Sequence, residues 1–158
     1  MVTQLGEEAL QFPPTADVSH TDSQQSSKCE WESNHPPGWG SPANATISVL
    51  VRLKVNEDGD PDIAAAQGSY QANNSQAAQP DTPPTVIGDS SKRSIRPGSK
   101  GNSQVVTIDF LRANAHVTVE YRGWGSQGFN AQFIPLEAQQ EATLDFAQQT
   151  LARLGEPK

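Results

Sequence analysis

The side chains of this sequence best suited to nucleophilic or acid–base chemistry are three histidines, His20, His35 and His116, and one cysteine, Cys29. A thiolate nucleophile needs an exposed cysteine with a lowered pKa and a histidine beside it. Cys29 stands in Lys28-Cys29-Glu30-Trp31-Glu32-Ser33, where Cys29 and Trp31 alternate with charged neighbours. That pattern reads as a half-buried strand, and the role expected of Cys29 is packing. His20 and His35 fall in loop sequence, and His116 alternates onto the face opposite Val117 and Val119. No G-x-S-x-G, H-E-x-x-H, phosphate-binding loop or dinucleotide fingerprint occurs. The reading is a non-catalytic chain without a cofactor.

Metal ligation has one candidate. Asn56, Asp58, Asp60 and Asp62 bring oxygen atoms at alternate positions, as a calcium loop does. Such a loop also needs Gly at its sixth position and Glu at its twelfth, and here Pro61 and Gln67 stand there. The segment is read as an acidic, solvated turn. A single cysteine excludes a thiolate metal cluster and an internal disulfide alike.

Binding chemistry has stronger candidates. Trp39 and Trp124 both sit beside glycines, in sequence that reads as loop. Each indole offers a wide apolar face and one N–H donor, suited to a molecule apolar along one side and polar at its edge. Arg122 can hold an anionic group through its fork of donors. Tyr121 and His116 lie on the strand leading into that loop and add polar contacts. The expected ligand site is Trp39, Trp124, Arg122, Tyr121 and His116. Lys92, Arg93, Arg96 and Lys100 form a separate basic cluster, read as a solvated loop.

The chain that must position these residues has 158 residues, enough for one domain spanning 1–158. Only 34% of residues are hydrophobic and 18% charged; Gln, Asn, Ser, Thr, Gly and Pro fill the difference. A modest core with long polar excursions follows, at 12–27, 34–45 and 90–103. The net charge of −7 repels phosphate backbones and argues against nucleic acid as a partner. No stretch approaches the ~18 apolar residues of a membrane span. Met1-Val-Thr-Gln-Leu-Gly-Glu-Glu has neither a basic start nor an apolar run, so it does not read as a leader.

Element by element, Val2, Leu5, Ala9 and Leu10 suggest a short helix over 1–10. Ile47, Val49, Val51, Leu53 and Val55 share one face of a long strand. Ile63–Ala78 reads as a helix with Ile63, Ala66, Tyr70 and Ala77 near one stripe. Thr85–Asp89 reads as a short edge strand. Val106, Ile108 and Phe110 share a face of one strand, and Ala115, Val117, Val119 and Tyr121 a face of the next. Arg112-Ala113-Asn114 joins them as a hairpin turn, with Asn114 suited to a positive φ. Pro135 opens a last helix that Gly155 and Pro157 stop. Leu144, Ala147, Leu151 and Leu154 form its apolar stripe, and Gln139, Gln140, Gln148 and Gln149 its outer side. The predicted class is α+β: an antiparallel sheet with helices packed mainly on one face.

Three features recur together: the C-x-W strand Cys29-Glu30-Trp31, the hairpin Val106–Tyr121 and the helix Pro135–Leu154. In these the chain resembles the small actinobacterial envelope lipoproteins of unknown function, of the LpqN type with a PsbP-like α/β/α sandwich. The resemblance implies an exported, lipid-anchored, non-catalytic domain that binds a small amphipathic molecule or an envelope partner protein. It also implies a leader and lipid-bearing cysteine upstream of Met1, and a second cysteine that pairs with the one in C-x-W. The alternative is a cytoplasmic interaction module of similar architecture, whose sheet face meets a partner protein.

Overall fold

The computed structural model describes residues 15–21, 23–33, 44–74, 83, 85–98, 104–124 and 135–154. The helix expected over 1–10, Trp39 with most of 34–45, Ala77 and Lys100 lie outside them. Six strands form one antiparallel sheet: β1 (Thr15–Thr21), β2 (Gln24–Ser33), β3 (Asn44–Lys54), β4 (Ser90–Pro97), β5 (Gln104–Arg112) and β6 (Ala115–Trp124). Helix α1 (Ile63–Asn74) follows β3 and helix α2 (Leu136–Leu154) follows β6. The spatial order is β1-β2-β3-β6-β5-β4. Two meanders, β1-β2-β3 and β4-β5-β6, are thus joined through α1 and zipped together where β3 pairs with β6.

Period-two alternation sorts each inner strand between two faces. One face carries Ala45, Ile47, Val49, Ile108, Phe110, Val117, Val119 and Tyr121, and α2 covers it with Ala142, Phe146 and Ala147. The other face carries Leu111 and His116, and α1 lies on it with Ala66 and Tyr70. The two helices therefore take opposite faces, which corrects the expectation that helices gather mainly on one. The cause is visible in β6. Alternate residues on both of its sides need cover, since His116 and Val117 are each wholly buried.

Helix α2 is rotated slightly from its expected stripe. Its buried residues are Gln139, Ala142, Thr143, Phe146 and Ala147, while Leu144, Leu151 and Leu154 pack half-buried along the flank. Phe146 takes the centre because Trp31 of β2 meets it, ring centroids 5.6 Å apart at 59°. Thr143 tolerates burial because its hydroxyl donates to the Gln139 carbonyl at 2.6 Å. Glu137 in the first turn and Arg153 in the last suit the helix dipole.

Helix α1 begins where Asp62 caps it, Oδ1 accepting the Ala65 N–H at 2.9 Å. Ala66 and Tyr70, one turn apart, are its buried residues, whereas Ile63, the first residue of the helix, stands 50% exposed.

Two segments expected to be polar loops carry strands instead. The 12–27 stretch contains β1 and the start of β2, and the 90–103 stretch contains β4. Thr85–Asp89 is not the edge strand; the strand starts at Ser90. Both missed strands are sheet edges, which need only one paired side and little apolar content. The hairpin turn also differs in detail. Ala113, not Asn114, has the positive φ, at 50°. Asn114 is held against Lys54, donating from Nδ2 to its carbonyl at 2.8 Å and accepting its N–H at 3.0 Å.

Candidate functional site

The most polar part of the interior lies between α1 and the sheet. Hairpin register sets Leu111 opposite His116 and Asp109 opposite Thr118, so Asp109, His116 and Thr118 share one face. Asp109 accepts from Thr118 Oγ1 at 2.6 Å, and its Oδ1 lies 3.3 Å from His116 Nε2. A carboxylate only accepts, so Nε2 carries the proton, and in the neutral ring Nδ1 accepts the Ser69 hydroxyl at 3.1 Å. Thr118 Oγ1 in turn accepts from Arg52 of β3 at 3.4 Å. The result is a continuous chain, Ser69–His116–Asp109–Thr118–Arg52. Tyr70 stands edge-on to the His116 ring at 5.8 Å and accepts from Ser90 at 3.2 Å. Burial pushes the Tyr70 pKa above its ordinary value, partly opposed by the Ser90 hydrogen bond.

Ser, His and Asp in sequence of contact resemble the composition of a hydrolytic triad, but the access differs. His116 has no exposed surface, and both of its ring nitrogens are engaged. Ser69 lies inside helix α1, with its hydroxyl turned to the sheet. A substrate cannot reach an imidazole sealed in this way. The arrangement ties α1 to the sheet.

On the same face, beyond α1, Glu120 accepts from Arg96 at 2.8 Å and from Arg122 at 2.5 Å. Its side chain is 13% exposed, and those of the arginines 51% and 56%. The five residues expected to form a ligand site are thus only partly brought together. Arg122 and His116 lie on the α1 face, while Tyr121 points into the α2 face. Trp124 is the last residue of β6, in register with Asn44, rather than part of a loop. Trp39 lies outside the described residues.

Gly123 leaves space of a different kind from that expected of a ligand approach. A Cβ there would meet the Gln139 carboxamide and the Tyr121 ring, each at 3.2 Å, so the protein itself fills the gap. The Tyr121 hydroxyl is buried with no hydrogen-bond partner among the described residues, and desolvation raises its pKa strongly.

The acidic turn is also internally occupied. Asn56 Oδ1 accepts the N–H groups of Asp58 at 3.1 Å and Asp60 at 2.8 Å, and Asp62 is spent on capping α1. Among the described residues no group of three or more His, Cys, Asp or Glu side chains is placed to hold a metal ion. Cys29 is a free, half-buried thiol in register with Val49.

A cleft of about 290 Å³ opens beside α2, over the β4–β5 side of the sheet. Ile108, Leu144 and the buried Pro83 give it apolar walls; Arg93, Glu137 and Glu141 give it a rim of both charges. Its volume sits near the lower end of the roughly 300–1,000 Å³ usual for small-molecule sites. His116, Tyr121 and Arg122 do not line it. Sequence reading missed it because β4, which supplies Arg93, reads as loop; the basic cluster Lys92-Arg93-Arg96 is the signal that pointed nearest.

Together these features define an α+β domain with one six-stranded antiparallel sheet, a helix on each face and a sealed polar chain under α1. Comparison with known proteins returns no match: no family model, no curated protein and no solved structure is similar to this chain. Among the described residues no helix is long and apolar enough to cross a membrane.

Proposed function

We propose that this chain is a non-catalytic binding domain of the cell envelope, exported and lipid-anchored, whose ligand is a small amphipathic molecule. The observation that carries the binding reading is the cleft beside α2, with apolar walls of Ile108, Leu144 and Pro83 under a charged rim. Apolar walls favour burial of a hydrocarbon portion, and a rim of Arg93, Glu137 and Glu141 favours a polar head. The sealing of His116 supports a role without catalysis. The C-x-W strand, the hairpin and the last helix support the envelope setting through the family they resemble. A leader ending in a lipid-accepting cysteine upstream of Met1 in the reading frame supports that setting, and a frame that starts at Met1 favours a cytoplasmic module.

Thermal-shift titration with octanoate and octylamine tests the cleft. Binding to the folded state alone raises its melting temperature. At least one of the two is expected to do so in the natural sequence and to lose the effect in Leu144→Trp, which fills the cleft. No shift from either amphiphile at saturation, or a shift indifferent to Leu144→Trp, overturns this assignment.

A further inference from the structure

The two edges of the sheet are built differently. Edge strand β4 reads Ser-Ser-Lys-Arg-Ser-Ile-Arg-Pro, with three cations and a proline in eight residues. Positive charge and proline are the usual means of keeping a sheet edge from pairing with another chain. Edge strand β1 reads Thr-Ala-Asp-Val-Ser-His-Thr, with no lysine, arginine or proline. One of its sides pairs with β2, from Thr15 opposite Glu30 to Thr21 opposite Gln24, and the other side has no strand among the described residues. Residues 17–21 are all exposed, and Val18 is 76% exposed, the largest value among the exposed large apolar side chains described. Ser19 and Thr21 are already turned to β2, bonding Ser26 Oγ at 2.6 Å and the Gln24 carbonyl at 3.2 Å.

From this asymmetry we infer that β1 pairs antiparallel with β1 of a second copy of this chain, making a continuous twelve-stranded sheet across a two-fold axis at Val18. A two-fold axis perpendicular to the sheet keeps each face on its own side, so opposed residues must have numbers of the same parity. Centring on Val18 sets Val18 against Val18, Ala16 against His20, Asp17 against Ser19 and Thr15 against Thr21. Both valines lose their exposure, and no Asp17 carboxylate faces another carboxylate. Shifting the centre to Asp17 opposes two carboxylates across the ladder, and shifting it to Ser19 or His20 separates the two valines, so pairing of the exposed Val18 side chains selects the Val18 register. In this dimer both copies of α2 lie on one face and both copies of α1 on the other. A seven-residue ladder spans about 24 Å. It is short of a standard interface, so the dimer forms and dissociates with concentration. With −7 on each copy, added salt strengthens it.

Sedimentation velocity on the full chain, from about 1 μM to about 1 mM, covers the range of so weak an association. The natural sequence is expected to move from monomer to dimer mass across that series, at lower concentration in high salt. Val18→Lys sets two like charges face to face and is expected to hold the monomer mass throughout, with an unchanged circular dichroism spectrum and melting temperature. His20→Pro, which removes a backbone donor that faces away from β2, is the second variant should Val18→Lys fail to fold. A monomer mass at every concentration overturns the inference, as does a dimer that survives in the folded variants.

Discussion

The Ser69 hydroxyl meets His116 Nδ1 at 3.1 Å, joining the middle of helix α1 to a histidine with no exposed surface. This bond and the Asp109 carboxylate at the other ring nitrogen use the imidazole fully. Removing the ring leaves a cavity and strips Asp109 of a donor. His116→Ala is therefore expected to cost about 2–4 kcal/mol, and Ser69→Ala about 1 kcal/mol. Urea unfolding measures both. Because the site is sealed, an alkyl fluorophosphonate is expected to leave Ser69 unlabelled; stoichiometric labelling there would falsify the structural role given to this chain.

Among the described glycines, Gly88 is the one whose replacement is expected to do most damage. It has φ +65°, and a Cβ would press into the Leu111 carbonyl oxygen, which is backbone and cannot swing away. Gly59 has φ +85° with no atom within 4 Å of the added carbon. Gly59→Ala is expected to cost about 1 kcal/mol from conformation alone. Gly88→Ala adds a steric clash and is expected to exceed about 2 kcal/mol. Equal losses at the two positions would show that the Leu111 contact carries nothing.

Much of this fold is legible in the sequence where the cause is local. The β5–β6 hairpin announces itself by apolar residues at every second position on both strands, and helix α2 by its proline start and its spacing. Strand β4 is not legible. Ile95 is its single aliphatic residue, and what makes it a strand is its ladder with β5, a cause that lies outside its own composition. The same holds for the polar chain. Alternation puts Asp109 and His116 on one face, but Ser69 lies 47 residues from His116 and joins it only through the fold. The register that sets Asp109 beside His116 follows from the two-residue turn Ala113-Asn114, whereas the expected turn Arg112-Ala113-Asn114 would set Asp109 opposite Val117; no local pattern marks Ser69.

Asp89 clamps the β5–β6 turn from outside. Its carboxylate accepts the Ala113 N–H at 2.7 Å and Arg112 Nη1 at 3.0 Å. The backbone hydrogen bond from Ala113 chiefly, and Arg112 beside it, hold its pKa below the ordinary 3.8 despite some desolvation. An acid with a folded-state pKa below its unfolded value stabilises the fold above the unfolded pKa. That contribution disappears as pH falls through the folded pKa. Asp89→Ala is expected to cost about 1 kcal/mol at pH 7, a modest figure because the carboxylate is 45% exposed. The difference from the natural sequence should shrink below the ordinary carboxylate range and be absent once Asp89 is protonated in both states. A difference independent of pH would mean that the side chain acts through packing.

Phe110 and Leu53 both alternate onto the α2 face, and from sequence each →Ala change is expected to cost roughly 2–5 kcal/mol. The structure separates them. Phe110 has no exposed surface; it lies on β5 between Val117 of β6 and Ser91 of β4, inside the main core cluster. Leu53 is half-buried near the end of β3, in register with Ala115 and Gln25, and packs on the cluster from its margin. A cavity under Phe110 is enclosed by strands on both sides and cannot collapse, so Phe110→Ala is expected to cost about 3–5 kcal/mol. Water reaches the space left by Leu53, which lowers the cavity contribution, so Leu53→Ala is expected to cost less than about 2 kcal/mol. Urea denaturation with an unchanged slope reads both values directly. If Leu53→Ala proves as costly as Phe110→Ala, the β3 end of the sheet is as deeply covered as its centre, and the placement of the core around β5 and β6 is wrong.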